Sequence, residues 1–212
     1  IRAPIGGGVR KPELNSDSLE AQLANMPGLK VVLPATAADA KGLLTASIRE
    51  PDPVLFLEPL RGYRGIRGPV PDGDHVVPLG AARTAREGDD LVIISWSYQV
   101  ELACRVADRL ASEGIAVGVL DLRTLVPQDI EAITEAVLRC GHAVVVQEAA
   151  QTGGFASEIV ATINEECFWS LEAPVARGSG FDVPYPVGMV EHLYVPDEKR
   201  ILAAVRNTLD AG

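Results

Sequence analysis

The chain has 212 residues, 47% hydrophobic and 23% charged, a balance that supports a sizeable core and excludes a disordered tail. Nineteen Lys and Arg against 29 Asp and Glu leave a net charge of −10, which repels phosphate backbones and argues against general nucleic-acid binding. No apolar run approaches the ~18 residues needed to cross a bilayer, and no signal peptide is read, so no membrane partner is expected.

The chain opens with Ile1, Arg2, Ala3 and Pro4, which reads as the interior of a strand, so a piece of a longer polypeptide is expected. Asn15 to Ser18 can cap a helix from Leu19 to about Asn25, halted by Pro27 and Gly28. Leu29–Leu33 is a short apolar run stopped by Pro34. Thr36 with Asp39 three residues on is a shortened capping box for a helix over Ala37–Arg49, which Pro51 and Pro53 end. Val54–Leu57 follows as a buried strand, completing the strand–helix–strand unit of a parallel sheet. The run Gly6, Gly7, Gly8 lacks the G-x-G-x-x-G spacing and carries little weight as a nucleotide site.

From Leu60 to about Pro78 the composition shifts to Arg, Gly, Pro and Asp, which reads as a linker at 60–78 between residues 1–59 and 79–212. Beyond it the alternation is clear. Strands are expected at Leu91–Ser95, Ala116–Leu120, His142–Gln147 and Pro174–Arg177. Helices are expected over Gln99–Glu113, from Pro127 to about Cys140, over Gly154–Phe168 and over Asp197–Asp210. This is an α/β fold with a mainly parallel sheet, whose strand C-terminal ends share one edge where ligands or partners sit.

Chemistry is sparse at the level of single residues. Cys104, Cys140 and Cys167 are odd in number and widely spaced, which excludes a disulfide framework or zinc ribbon and leaves buried thiols. His75, His142 and His192 form no triad and no metal pair. Asp121 ends a strand but stands two residues from Arg123, so an ion pair competes with any site role. Thr152, Gly153 and Gly154 open a helix and permit either anion binding or close packing. Composition and spacing alone reach an α/β domain with an acidic surface.

The ordered motifs reach further. IRAP-x-GGG, NSDSLEA, PGLKVVLPATAADAKGLL, PDPVLFLEP, DLRTLVPQD, QEAAQTGGFASEI and EECFWSLEAP run collinearly from Ile1 almost to Leu209. Together they resemble the β subunit of the thiamine-diphosphate-dependent 2-oxoacid dehydrogenases. EECFWSLEAP leans toward the branched-chain member, with the pyruvate and acetoin types close. The resemblance implies the C-terminal part of a pyrimidine-binding domain followed by a transketolase C-terminal-type domain. It implies an oxidoreductase that decarboxylates a 2-oxoacid and passes the acyl group to lipoyl-lysine, in the cytoplasm of a bacterium or in a mitochondrial matrix. Implied partners are an α subunit, a second β subunit in a heterotetramer, and the peripheral-subunit-binding domain of the dihydrolipoyl acyltransferase. The implied cofactor is thiamine diphosphate with Mg2+, bound at the interface with the α subunit mostly by residues outside this chain.

Site residues carry over one by one. Asn15 stands where relatives have an active-site histidine, and asparagine exchanges no proton near neutral pH. Ser47, Glu50 and Asp52 match the turn at which relatives hold a structural potassium ion, and a backbone carbonyl from Ser47 with oxygens from Glu50 and Asp52 suits that hard cation. Glu172, with the C-terminal carboxylate, is expected to face the basic acyltransferase domain. Gly153, Gly154 and Phe155 are expected in the subunit interface, which favours close packing there. Another thiamine enzyme, such as a transketolase, and a non-catalytic assembly module remain as alternatives, and the isolated chain is expected to be inactive.

Overall fold

The computed structural model describes residues 1–11, 16–186 and 188–212. The first half supplies β1 (Arg2–Ile5), α1 (Glu20–Ala24), β2 (Lys30–Val32), α2 (Ala37–Arg49) and β3 (Val54–Pro59). Residues 67–74 are exposed and carry no strand or helix. The second half runs β4 (Arg83–Arg86), β5 (Leu91–Ser95), α3 (Gln99–Ala111), β6 (Val117–Asp121) and β7 (Thr124–Val126). It continues with α4 (Ile130–Cys140), β8 (Ala143–Ala150), α5 (Ala156–Cys167), β9 (Ala176–Gly180) and α6 (Glu198–Leu209).

Local chemistry fixes the helix ends. The Thr36 hydroxyl oxygen accepts the Asp39 N–H at 3.0 Å and donates to the Asp39 carboxylate at 2.6 Å, which starts α2. Asp129 accepts the Ala132 N–H at 3.1 Å to start α4, and Gly141 leaves that helix with φ +67°. Asp197 caps α6 through the Arg200 N–H at 2.9 Å.

The strands form two sheets. In the first, β1, β3 and β2 run parallel, and β7 from the second half adds an antiparallel strand beside β2. In the second, β6, β5, β8 and β9 run parallel, with β4 antiparallel on the β6 edge. One apolar cluster joins Val31, Leu33, Leu55 and Leu57 of the first sheet to Leu120, Leu125, Ile133, Val145 and Ile159 of the second half. The other face of the second sheet buries Ile93 and Val144 against Val106 and Leu110 of α3 and Ile201 and Val205 of α6.

A buried ionic knot fastens the two halves as well. Arg123, at φ +55°, donates to the carbonyls of Ala81 and Ala82 and to Asp39 at 3.2 Å. Arg83 reaches Asp121 at 2.9 Å and Asp39 at 3.5 Å. Asp121 is therefore an ion-pair residue that locks β6 to its neighbours.

Candidate active-site crevice

Parallel strands place their C-terminal ends on one side of a sheet, and here both sheets contribute to one crevice. It is lined by Gly6 and Gly7 after β1, Arg61 after β3, Trp96 and Gln99 after β5, Glu148 in β8, and Ser18 and Glu20 at the start of α1. Glu20 is only 1% exposed, and its Oε1 accepts the Trp96 indole N–H at 3.3 Å. Its Oε2 has no partner among the described residues, nor does either amide atom of the buried Gln99. Glu148 accepts the Gly7 N–H. Glu191 accepts the Arg10 N–H at 2.7 Å and the Tyr185 hydroxyl at 3.0 Å.

Two of these buried carboxylates, Glu20 and Glu148, are perturbed by their surroundings. Burial pushes Glu20 up to about 7, against the pull of its own backbone hydrogen bond and of Trp96. Burial also raises Glu148, opposed by the Gly7 N–H and the Arg61 guanidinium. Glu20 is thus a group that takes up or releases a proton near neutral pH, the property that general acid–base work requires. The free space is about 10 Å³, room for a single water. A thiamine ring does not fit inside it, and the described residues contain no cluster of three or more His, Cys, Asp or Glu placed to hold a metal.

The residues expected from the sequence fall in four places. Asn15 lies outside the described residues; Ser16, next to it, is fully buried and donates to the Lys11 carbonyl at 3.2 Å. Glu50 and Asp52 stand before β3, at the opposite edge of the sheet from the crevice, and clasp the Lys30 ammonium at 2.7 and 3.4 Å. The Ser47 hydroxyl donates back to the Leu43 carbonyl at 2.7 Å. One lysine thus offsets part of the acid at this turn, on the N-terminal side of β3.

Gly153, Gly154 and Phe155 border an open groove of about 730 Å³ shared with Ala21, Val126 and Ile130. A Cβ at Gly154 would overlap the Gln147 amide, and Gln147 Oε1 accepts the Ala156 N–H at 2.7 Å, so the start of α5 is satisfied internally. Phe155 packs edge-on to Trp96 at 6.0 Å, linking this groove to the crevice. Glu172 is exposed beside His142 at 4.0 Å, and Gly212 lies against the same histidine.

Glu20, Trp96, Glu148 and Glu191 were not singled out from the sequence. Glu20 does sit in the NSDSLEA motif and Glu148 in QEAAQTGGFASEI, so the motifs marked their neighbourhood without marking the side chains.

Comparison with known proteins bears on this geometry. The model of the transketolase pyrimidine binding domain matches residues 1–65, and that of the transketolase C-terminal domain matches residues 80–201. A pyruvate dehydrogenase E1 component subunit beta of Bacillus subtilis is 45% identical over 210 residues, covering 99% of this chain and 65% of the relative. The protein of that name from Staphylococcus aureus is 42% identical over the same length, with the same coverage. The chain therefore spans just under two thirds of these curated relatives. Among solved structures, a split-gene transketolase described as an inactive beta4 tetramer superposes with TM-score 0.80 at 24% identity, over 99% of this chain and 65% of that one. A mutant transketolase from Pichia stipitis gives 0.66 at 15% identity, over 99% and 29%; these two likenesses speak to the fold alone.

Proposed function

Since the chain belongs to the transketolase C-terminal domain family, we propose that it serves as the β subunit of a thiamine-dependent 2-oxoacid dehydrogenase of the pyruvate type. The observation that carries this reading is the collinear 45% identity to a pyruvate dehydrogenase β subunit over 99% of the chain. The lean of EECFWSLEAP toward the branched-chain type yields to that relationship, since the relatives at 42–45% identity bear the pyruvate name.

In this role the chain offers walls rather than a finished pocket. The crevice admits about one water, and this reading puts thiamine diphosphate and Mg2+ between this chain and an α subunit, held mostly by residues outside this chain. The chain's own contribution is fixed: Glu148 and Glu191 hold the loop after β1, Glu20 keeps an exchangeable proton beside it, and the Asp39–Arg123 knot keeps the two halves in register. The groove bordered by Gly153, Gly154 and Phe155 supports assembly with an α subunit and a second β subunit. The exposed Glu172 and the excess of acid support docking of the basic acyltransferase domain.

The test is reconstitution. Co-expressed with its α subunit, the chain as its gene encodes it is expected to release CO2 from pyruvate only when thiamine diphosphate is present. Faster release from a branched-chain 2-oxoacid would reassign the substrate. A second reading, an assembly module without catalysis, is favoured by Asn15 at the position of the relatives' histidine. A stable complex that binds cofactor yet releases no CO2 from any 2-oxoacid would establish it.

A further inference from the structure

The three glycines that spacing set aside as a nucleotide site have another purpose. Gly6 and Gly8 take φ +86° and +83°, and Arg10 takes +57°, so this loop is held in a left-handed region that only glycine enters freely. Each glycine also leaves room for a side chain arriving from elsewhere. A Cβ at Gly6 would press on the Glu148 carboxylate, one at Gly7 would overlap the Tyr185 hydroxyl, and one at Gly8 would overlap the Arg61 guanidinium. Such a loop persists only where its surroundings over-determine it.

The surroundings are two carboxylates from the second half of the chain. Glu148 accepts the Gly7 N–H and Glu191 the Arg10 N–H at 2.7 Å, across 141 and 181 residues of sequence. Glu191 is itself oriented by the Tyr185 hydroxyl, and Tyr185 stacks edge-on to Tyr194 at 5.0 Å. Arg200 of α6 donates to the Tyr194 carbonyl at 2.8 Å and covers the Phe181 ring at 4.2 Å, pinning the segment that carries Glu191 from both ends.

We propose that Glu148 and Glu191 are positioning residues: they grip the main chain of the glycine loop and so set the crevice wall made by Gly6, Gly7, Ser18 and Glu20. The wall is carried by one half of the chain and its placement dictated by the other. The kinetic consequence of this grip rests on the functional reading above; the grip itself does not.

The experiment compares wild type with Glu191→Ala, Glu191→Gln and Tyr185→Phe, each in the chain as its gene encodes it and assembled with the α subunit. Amide hydrogen exchange is followed over residues 6–11, with β5 and β8 as internal controls of folding. Glu191→Ala is expected to speed loop exchange at least about tenfold while the controls stay slow. Glu191→Gln, which keeps an acceptor oxygen, is expected to restore most of the protection. In the active complex, kcat falls about tenfold in Glu191→Ala with KM for the 2-oxoacid unchanged. Unchanged loop exchange in Glu191→Ala, or faster exchange with undiminished kcat, would overturn the proposal. If Glu191→Ala does not fold, Tyr185→Phe decides by the same readouts. If even wild type releases no CO2, the functional reading fails while loop exchange still decides the grip.

Discussion

Glu20 sits with one carboxylate oxygen on Trp96 and the other facing no described partner, a costly arrangement for a charged group. Its folded value near 7 lies above the ordinary 4.5, so its contribution to stability is full below pH 4.5 and is lost as pH rises through 7. Glu20→Gln removes that loss. The variant is expected to gain on wild type as pH goes from 5 to 8, by up to about 3 kcal/mol, in denaturant unfolding followed at both pH values. A constant difference across that range would show that Glu20 does not titrate there. The glycines make a second prediction at this scale. Gly7→Ala forces a methyl into the Tyr185 hydroxyl and is expected to cost about 1–3 kcal/mol in the same measurement. Gly73→Ala, in an exposed turn with open space around its Cα, is expected to cost less, its remaining penalty being the φ of +70° alone.

Among the elements, the ionic knot has the clearest energetic signature. Arg123→Ala leaves Asp39 with one fewer cation and the carbonyls of Ala81 and Ala82 without that donor, and is expected to destabilise by about 3 kcal/mol. Arg105→Ala, which breaks an exposed i,i+4 pair with Glu101, is expected to cost less than about 0.5 kcal/mol. Denaturant midpoints for the two variants check the contrast. The same comparison explains what could be read from sequence. Helices α2, α3 and α4 announce themselves through local signals, a Thr36 cap, an amphipathic period, a proline at 127 just before the first turn, and each lies within a few residues of its expected span. β7 has three residues and no period, and it exists because β2, some ninety residues earlier, offers an open edge. β4, with sequence RTAR, looks like a loop until it lines up antiparallel with β6. The site failed to show for a related reason. An isolated Glu reads as solvated surface, and Glu20, Glu148 and Glu191 become a buried set only through contacts spanning 76, 141 and 181 residues. Glu50 and Asp52 show the converse: read singly they are free oxygen ligands, and only the fold brings Lys30, twenty residues upstream, against them.

The whole molecule is an acidic body whose two halves share one core, with unfinished faces where other chains are expected. The groove by Gly153 to Phe155 and the exposed Phe168 and Trp169 leave apolar area in water, as subunits of an assembly do. Acid near Glu172 gives the acyltransferase reading a direct check: Glu172→Lys is expected to weaken binding of the basic peripheral-subunit-binding domain several-fold in low-salt calorimetry, with a smaller effect at high salt. Equal affinity of variant and wild type at low salt would remove Glu172 from that contact. The central claim, that this chain completes a thiamine-dependent site only together with another subunit, meets its most direct test in a single assay of CO2 release from pyruvate. The chain as its gene encodes it, the α subunit alone and the co-purified pair are measured with and without thiamine diphosphate. Release by the pair with cofactor, and by neither partner alone, is the predicted result; cofactor-dependent release by this chain alone, or none by the pair, would contradict it.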